Sequence, residues 1–174
     1  MQFFLRLFLL FLACLATNIT FSQKAISLGP QIGFSKGLNI GIGGGLEYTN
    51  KFSGHTGFRA SLGYTYFTDK FSYSYHFSYI PVRVGLQGYL APTLFLFADA
   101  GVAIQKSIYS STAGFSYSVG VSQVFPFVES NKFIQASLNY NVHHYSSRSN
   151  STWFNFRLAY GLSWPKMHKQ STEK

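Results

Sequence analysis

The 174 residues suit one domain, and only 11% of them are charged whereas 19% are aromatic. Soluble domains carry about 25% charged residues, and a surface with so little charge is poorly solvated. This composition argues against a conventional soluble protein. The formal net charge of +9 would suit nucleic acid, but the N-terminus predicts export. Anionic lipid head groups or lipopolysaccharide are therefore the expected partners, and nucleic acid is not.

Residues 1–22 have the layout of a secretory signal peptide. Arg6 precedes an apolar stretch over residues 7–16, and a small-residue pattern predicts cleavage after Ser22. An apolar stretch of about ten residues is short for a membrane-spanning helix, which needs ~20. We therefore expect a cleaved leader, and an uncleaved anchor is the alternative.

Cleavage after Ser22 removes Cys14, so the mature chain would contain no cysteine and no disulfide. A lipid-modified Cys14 is a further alternative, which Phe11 disfavours because it matches a lipoprotein cleavage site poorly. Cleavage also removes Arg6, which leaves 13 basic and 5 acidic residues and a net charge of +8.

Beyond the leader, apolar and polar residues alternate with a period of two, and no stretch has a helical period. The alternating segments are about ten residues long and are bounded by turn-like clusters. They predict eight strands, at about residues 25–35, 38–49, 56–67, 79–90, 94–105, 113–125, 132–143 and 152–164.

Each predicted strand has one bulky apolar face and one face of small polar residues. In the second strand, for example, Ile42 and Leu46 alternate with Gly43 and Glu47. A soluble sandwich or lipocalin-type barrel would expose a face rich in Lys and Glu. A transmembrane barrel instead turns its apolar face to lipid and its small polar face to the lumen.

The sequence therefore predicts an all-β, eight-stranded, antiparallel up-and-down transmembrane β-barrel over residues 23–164. A short basic C-terminal tail, residues 165–174, follows it, and we expect a monomer in the bacterial outer membrane. Aromatic residues near the strand ends predict interfacial girdles, namely Tyr48, Tyr64, Tyr66, Tyr89, Phe125, Tyr140 and Trp164.

Connector lengths favour the same topology. The connectors "TDKFSYSYH", "KSIYSST" and "HYSSRSNS" are long and polar, whereas "APT" and "PFVESN" are tight turns. Long extracellular loops and short periplasmic turns are typical of outer-membrane barrels. The connectors "SKG" and "TNKFSGH" do not fit this asymmetry.

The fourth strand, "YIPVRVGLQGYL", places Arg83 on its polar face. A three-residue "APT" loop would pair Leu90 with Leu94, and therefore Gly85 with Asp99. Arg83 and Asp99 would then be diagonal neighbours ~7–8 Å apart at the backbone, within side-chain reach. We predict that they belong to a polar network that fills the lumen instead of a conducting pore; its members are Glu47, Arg59, Arg83, Asp99 and Arg157.

The stretch "FSYIPVRVGLQGYL" followed by "LFLFADAGVAI" resembles the small outer-membrane β-barrel domain family of Gram-negative bacteria, which includes PorT-like and OmpX/OmpA-like barrels. Motifs are shared over residues 79–102, and the rest of the mature chain shares only the general pattern of the family. The resemblance implies the barrel fold and says little about activity. The chain departs from the family in continuing past Trp164. The matching residues are Tyr79, Ile80 and Pro81, then Asp99, Ala100 and Gly101.

Three other motifs raise further hypotheses about function. His143 and His144 could serve a lipid-acting enzyme, but neighbouring residues on a strand point to opposite faces. The run "GIGGG" lacks the strand–loop–helix context and the lysine of a phosphate loop. Phe71, Tyr73 and Tyr75, with Phe77 and Tyr79, would line an extracellular hairpin whose edge can add a partner strand.

We therefore expect a non-enzymatic structural or interaction protein without cofactor, metal or catalytic residue. Its partners would be outer-membrane lipids, lipopolysaccharide, and a protein or surface ligand at the extracellular loops. The alternatives are a component of an envelope secretion or assembly machinery, as the PorT resemblance implies, a lipid-modifying barrel enzyme, and a narrow channel.

Overall fold

The computed structural model describes residues 23–35, 40–68, 76–107, 110–127, 130–145 and 148–164. Each strand pairs antiparallel with its sequence neighbour, and the first pairs with the last to close a barrel. The predicted eight-stranded antiparallel barrel is confirmed. The predicted leader, residues 1–22, and tail, residues 165–174, lie outside the described residues. The strands are β1 (Gln23–Ser35), β2 (Gly41–Lys51), β3 (Thr56–Thr68), β4 (His76–Ala91), β5 (Leu94–Ser107), β6 (Ser111–Pro126), β7 (Lys132–Tyr145) and β8 (Arg148–Trp164).

The two ends of the barrel differ in which connections they carry. The start of β1, the end of β8 and the turns after β2, β4 and β6 lie at one end, which we call the terminal end. The connections after β1, β3, β5 and β7 lie at the other, the loop end. They span residues 36–40, 69–75, 108–110 and 146–147.

Two of the predicted long loops are wrong, because the strands continue into them. β5 and β6 pair as far as Lys106 and Ser111, and β7 and β8 as far as Tyr145 and Arg148. Most of "KSIYSST" and "HYSSRSNS" is therefore strand. Serine, threonine and aromatic residues are compatible with paired strands in water as well as in lipid. The polarity of a segment therefore does not show where a strand ends.

The outer surface of the barrel is apolar and its interior is polar, as the alternation predicts. In the middle of β4, Val82, Val84 and Leu86 are 48–54% exposed, whereas Arg83 between them is 7% exposed. This arrangement is the reverse of a soluble protein and suits a hydrocarbon surrounding. Within the described ranges, no helix is long and apolar enough to cross a membrane.

The β4–β5 hairpin keeps the predicted register over its length but not at its turn. Gly85 pairs with Asp99, as predicted, but the turn pairs Ala91 with Leu94 where Leu90 was expected. The turn is thus Pro92-Thr93, and an irregularity between residues 89 and 91 absorbs the extra residue. Proline favours the first central position of a tight turn, which explains the shortening.

Glycines on the inner face allow neighbouring strands to approach closely. A Cβ atom on Gly85 would overlap the carbonyl oxygen of Ala98, and one on Gly101 would overlap that of Val82. A barrel of eight strands is narrow, so its wall must curve sharply, and these positions have no room for a side chain.

Candidate functional site

The interior of the barrel is filled by buried polar side chains from all eight strands. They form cross-strand hydrogen bonds that join distant parts of the chain, such as Ser27 Oγ to Gln135 Oε1 at 3.0 Å and Asn155 Nδ2 to Gln31 Oε1 at 2.9 Å. All five predicted network residues lie here, each at most 7% exposed: Glu47, Arg59, Arg83, Asp99 and Arg157.

Glu47 is the centre of this network. Its Oε2 atom accepts hydrogen bonds from Arg59 Nη2 and from Arg157 Nη1, each at 2.8 Å. Its Oε1 atom accepts one from Gln135 Nε2 at 3.0 Å. One carboxylate thus neutralises charge from β3 and β8, the strands on either side of the β1–β2 pair.

Arg59 links Glu47 to the second carboxylate. Its Nη1 atom lies 3.3 Å from Asp99 Oδ2, and Ser118 Oγ donates to the same oxygen at 3.4 Å. The Arg59 guanidinium also lies over the Phe97 ring, 3.5 Å from its centroid. Charge pairing and a cation–π contact therefore hold Arg59 from two sides.

Arg83 has a different partner from the one that the hairpin register suggested. Its Nη1 atom donates to Asn141 Oδ1 at 2.7 Å, across the lumen from β4 to β7. None of the ion pairs between described residues joins Arg83 to Asp99. Arg59 pairs with Asp99 Oδ2 instead, and the Arg83 side chain crosses the narrow interior to reach β7.

A layer of rings closes the lumen at the loop end. The Trp153 ring lies 4.7 Å from Tyr79 and 4.3 Å from His143, and the His143 ring stacks on it at 17°. Phe67 packs edge-on against Tyr79 and Trp153 and is fully buried. Phe77 and Tyr79, which were expected to line a projecting hairpin, belong to β4 and pack in this layer.

A second aromatic layer lies near the terminal end. Phe95, Phe97 and Phe133 are each at most 7% exposed, and the Tyr89 ring lies 5.3 Å from Phe95. The Phe133 ring occupies the space beside Gly161 that a side chain would need. Tyr89 therefore faces inward, and its predicted place in an interfacial girdle is wrong.

Two cavities in the interior of the barrel are small and separate. One of about 30 Å³ lies among the charged residues, and one of about 150 Å³ opens at the terminal end beside Tyr89, Phe95 and Phe133. The two share no lining residue. The first has room for about two water molecules, so the lumen is packed in the part of the barrel that is described.

We expect the purified barrel to conduct no ions. Reconstitution into planar bilayers at 1 M salt should give no stepwise current, because two aromatic layers and the Glu47 network block the axis. Discrete, reproducible openings of the wild-type chain would contradict this prediction. A gel-shift assay, heated against unheated, would first establish that the reconstituted sample is folded.

The two neighbouring histidines lie on opposite faces, as predicted. His143 is fully buried with Nε2 3.4 Å from Ser116 Oγ, and His144 stacks outside on Tyr117 with ring centroids 5.7 Å apart. Because both His143 and Ser116 are fully buried, a substrate could not reach them. "GIGGG" begins β2 and lies within its ladder, so it is no phosphate loop.

The predicted loop residues Phe71, Tyr73 and Tyr75 lie outside the described residues. Among the residues with assigned positions, no group of three or more His, Cys, Asp or Glu is placed to hold a metal ion.

The sequence analysis missed the two aromatic layers, although the alternation along each strand places these rings at inward-facing positions. Phe67 has the parity of Arg59, Tyr79 that of Arg83, and Trp153 that of Arg157. Extending the inward face of each strand to its ends would have placed all three rings inside the lumen.

Comparison with solved structures places this fold among small outer-membrane barrels. Ail of Yersinia pestis, in complex with the heparin analogue sucrose octasulfate, has a TM-score of 0.60 at 20% identity and covers 83% of this chain and 100% of its own. Ail in a phospholipid bilayer nanodisc has a TM-score of 0.53 at 18% identity, covering 82% of this chain and 99% of its own.

The N-terminal β-barrel domain of OprF from Pseudomonas aeruginosa has a TM-score of 0.53 at 15% identity, covering 82% of this chain and 99% of its own. At these identities the likeness concerns the fold. No protein-family profile matches the sequence, and no curated protein matches it significantly.

Proposed function

We propose that this chain is a non-enzymatic outer-membrane β-barrel that binds an anionic ligand at its loop end on the cell surface. The observation that carries the proposal is the packed lumen. A barrel with an apolar exterior and a closed interior offers a partner in water only its two ends.

The loop end is the better of these ends for an external ligand. Both ends of the described chain lie at the terminal end, and in bacterial barrels that end faces the periplasm. The hairpins at the loop end would then project outward from the cell. The absence of a route to His143 argues against the alternative of a lipid-modifying enzyme.

Charge indicates the chemistry of the ligand. The loop-end connectors and the strand ends beside them carry several cations and one acid, Asp69. Lys106 is exposed on the outer face of β5. An excess of cations in these segments favours polyanions, and Ail, which shares this fold, was solved with a sulfated heparin analogue. Sulfated or phosphorylated polysaccharides, including lipopolysaccharide, are the ligand class we propose; the cations are Lys36, Lys70, Lys106 and Arg148.

Binding of fluorescent heparin to cells that display the protein tests this proposal. Replacing the four loop-end cations by glutamine should weaken binding at least tenfold, because the attraction is electrostatic. Raising the salt concentration should weaken binding to the wild type, since salt screens exposed charges. The matched control is Lys24→Gln with Lys132→Gln, which removes cations at the terminal end and should leave binding unchanged.

Fractionation of the same cells tests the location of the protein. A band in the outer-membrane fraction that shifts on heating is expected, and its absence would overturn the proposed location. Equal binding by the four-cation variant and the wild type would overturn the proposed ligand. In that case, cross-linking from the terminal end to a periplasmic protein would favour the alternative of an envelope secretion or assembly component.

A further inference from the structure

The charges inside the barrel do not balance. The described interior contains two buried carboxylates, Glu47 and Asp99, and three buried guanidiniums, on Arg59, Arg83 and Arg157. Glu47 neutralises Arg157 and shares Arg59 with Asp99. One positive charge in excess therefore remains in a medium of low dielectric constant, where an uncompensated charge is costly.

Arg83 is the guanidinium that takes part in none of these ion pairs. It is 7% exposed, and the acceptor of its Nη1 atom is a neutral amide oxygen, Asn141 Oδ1. Its Nε atom has no hydrogen-bond partner in the described protein. Arg83 thus presents a buried positive charge and an Nε donor without a hydrogen-bond partner among the described residues.

A cavity adjoins this side chain. The space of about 30 Å³ in the middle of the lumen is lined by Arg83, by amide and hydroxyl groups of β6 and β7, and by the four other charged network residues. One of these, Ser137 Oγ, is also buried without a hydrogen-bond partner. The remaining polar lining on these two strands is Ser118, Asn139 and Asn141.

We propose that this cavity binds one small monovalent anion of the chloride class, held by Arg83. A chloride ion is only slightly larger than a water molecule and fits a space with room for about two of them. Water would match the volume as well, but it would leave the excess charge in place. The carboxylates of Glu47 and Asp99 also border the cavity and disfavour an anion on their own sides, so Arg83, which pairs with neither of them, is the expected contact.

The test compares refolding in chloride with refolding in gluconate at constant ionic strength, since gluconate is too large for the cavity. Refolding makes the anion available before the lumen closes. In the wild type, the midpoint of thermal unfolding should rise by roughly 3–6 °C for each tenfold increase in chloride above its Kd.

Asn141→Asp supplies a carboxylate at the atom that already contacts Arg83. It should abolish the dependence on chloride and raise the midpoint measured in gluconate. The control, Asn131→Asp, adds the same charge in the exposed connector after β6 and should keep the wild-type chloride dependence. This pair of variants separates the site from general salt effects on the protein surface.

Crystals grown in bromide provide an independent readout. An anomalous peak in contact with the Arg83 guanidinium is expected in the wild type and should be absent in Asn141→Asp. Equal midpoints for wild-type protein in chloride and gluconate, or crystals grown in bromide without that peak, would overturn the proposal and leave water as the occupant.

Discussion

Replacing Glu47 by glutamine is expected to lower the free energy of unfolding by about 3–5 kcal/mol, the cost of breaking a buried ion pair from one side. Glu47 is 1% exposed and accepts from Arg59 and Arg157 at 2.8 Å. Glutamine would remove the charge and would turn an amide donor either toward the two guanidiniums or toward Gln135 Nε2. Urea unfolding in lipid vesicles, followed by tryptophan fluorescence, measures the loss.

A double variant shows whether charge or shape is responsible. Glu47→Gln with Arg157→Gln restores the net charge of the lumen, and we expect it to recover about half of the loss or more. If Glu47→Gln is as stable as the wild type, the network does not hold the barrel together. If the double variant is no better than the single one, packing outweighs charge.

Gly85→Ala is the second variant with a large expected effect, a loss of about 3 kcal/mol or failure to fold. The new methyl group would overlap the carbonyl oxygen of Ala98 and would lie 2.6 Å from both Asp99 Cα and Asp99 Oδ1. Two of these three contacts are backbone, so the strands would have to separate. The expected readout is a loss of the heat-shifted band in gels of the membrane fraction.

Gly88→Ala is the matched control, because Gly88 lies three residues further along the same strand and a Cβ there meets nothing within 4 Å. It should fold like the wild type. Equal folding of both alanine variants would mean that the close approach of β4 to β5 is not required for closure.

Strand parity accounts for what the sequence could predict. One alternating pattern settles which side chains face inward, and the β4–β5 register follows from a turn located to within one residue. The inward orientation of Arg83 and Asp99 and the pairing of Gly85 with Asp99 could thus be predicted from the sequence alone. The exact turn could not be predicted, because an irregularity between residues 89 and 91 shifts the pairing by one residue at the turn. The pairing from Phe77 to Tyr89 is unaffected.

Contacts across the lumen could not be predicted in this way. Pairing rules apply to neighbouring strands, whereas Arg83 meets Asn141 on β7, three strands from its own. Which residues meet across the interior depends on the tilt and stagger of all eight strands together. The same dependence explains why Asp99 is held by Arg59 instead of Arg83.

The chain separation of the interior contacts has a consequence for how the molecule assembles. Arg157 on β8 bonds to Ser27 and Glu47, 130 and 110 residues earlier, and Asn155 bonds to Gln31 at a separation of 124. A partly folded barrel without β8 therefore lacks hydrogen-bond partners for the buried polar groups of β1 and β2. Such long-range contacts favour slow, all-or-none folding, and β8 supplies the guanidinium, that of Arg157, which lets the buried polar groups of the first two strands leave water.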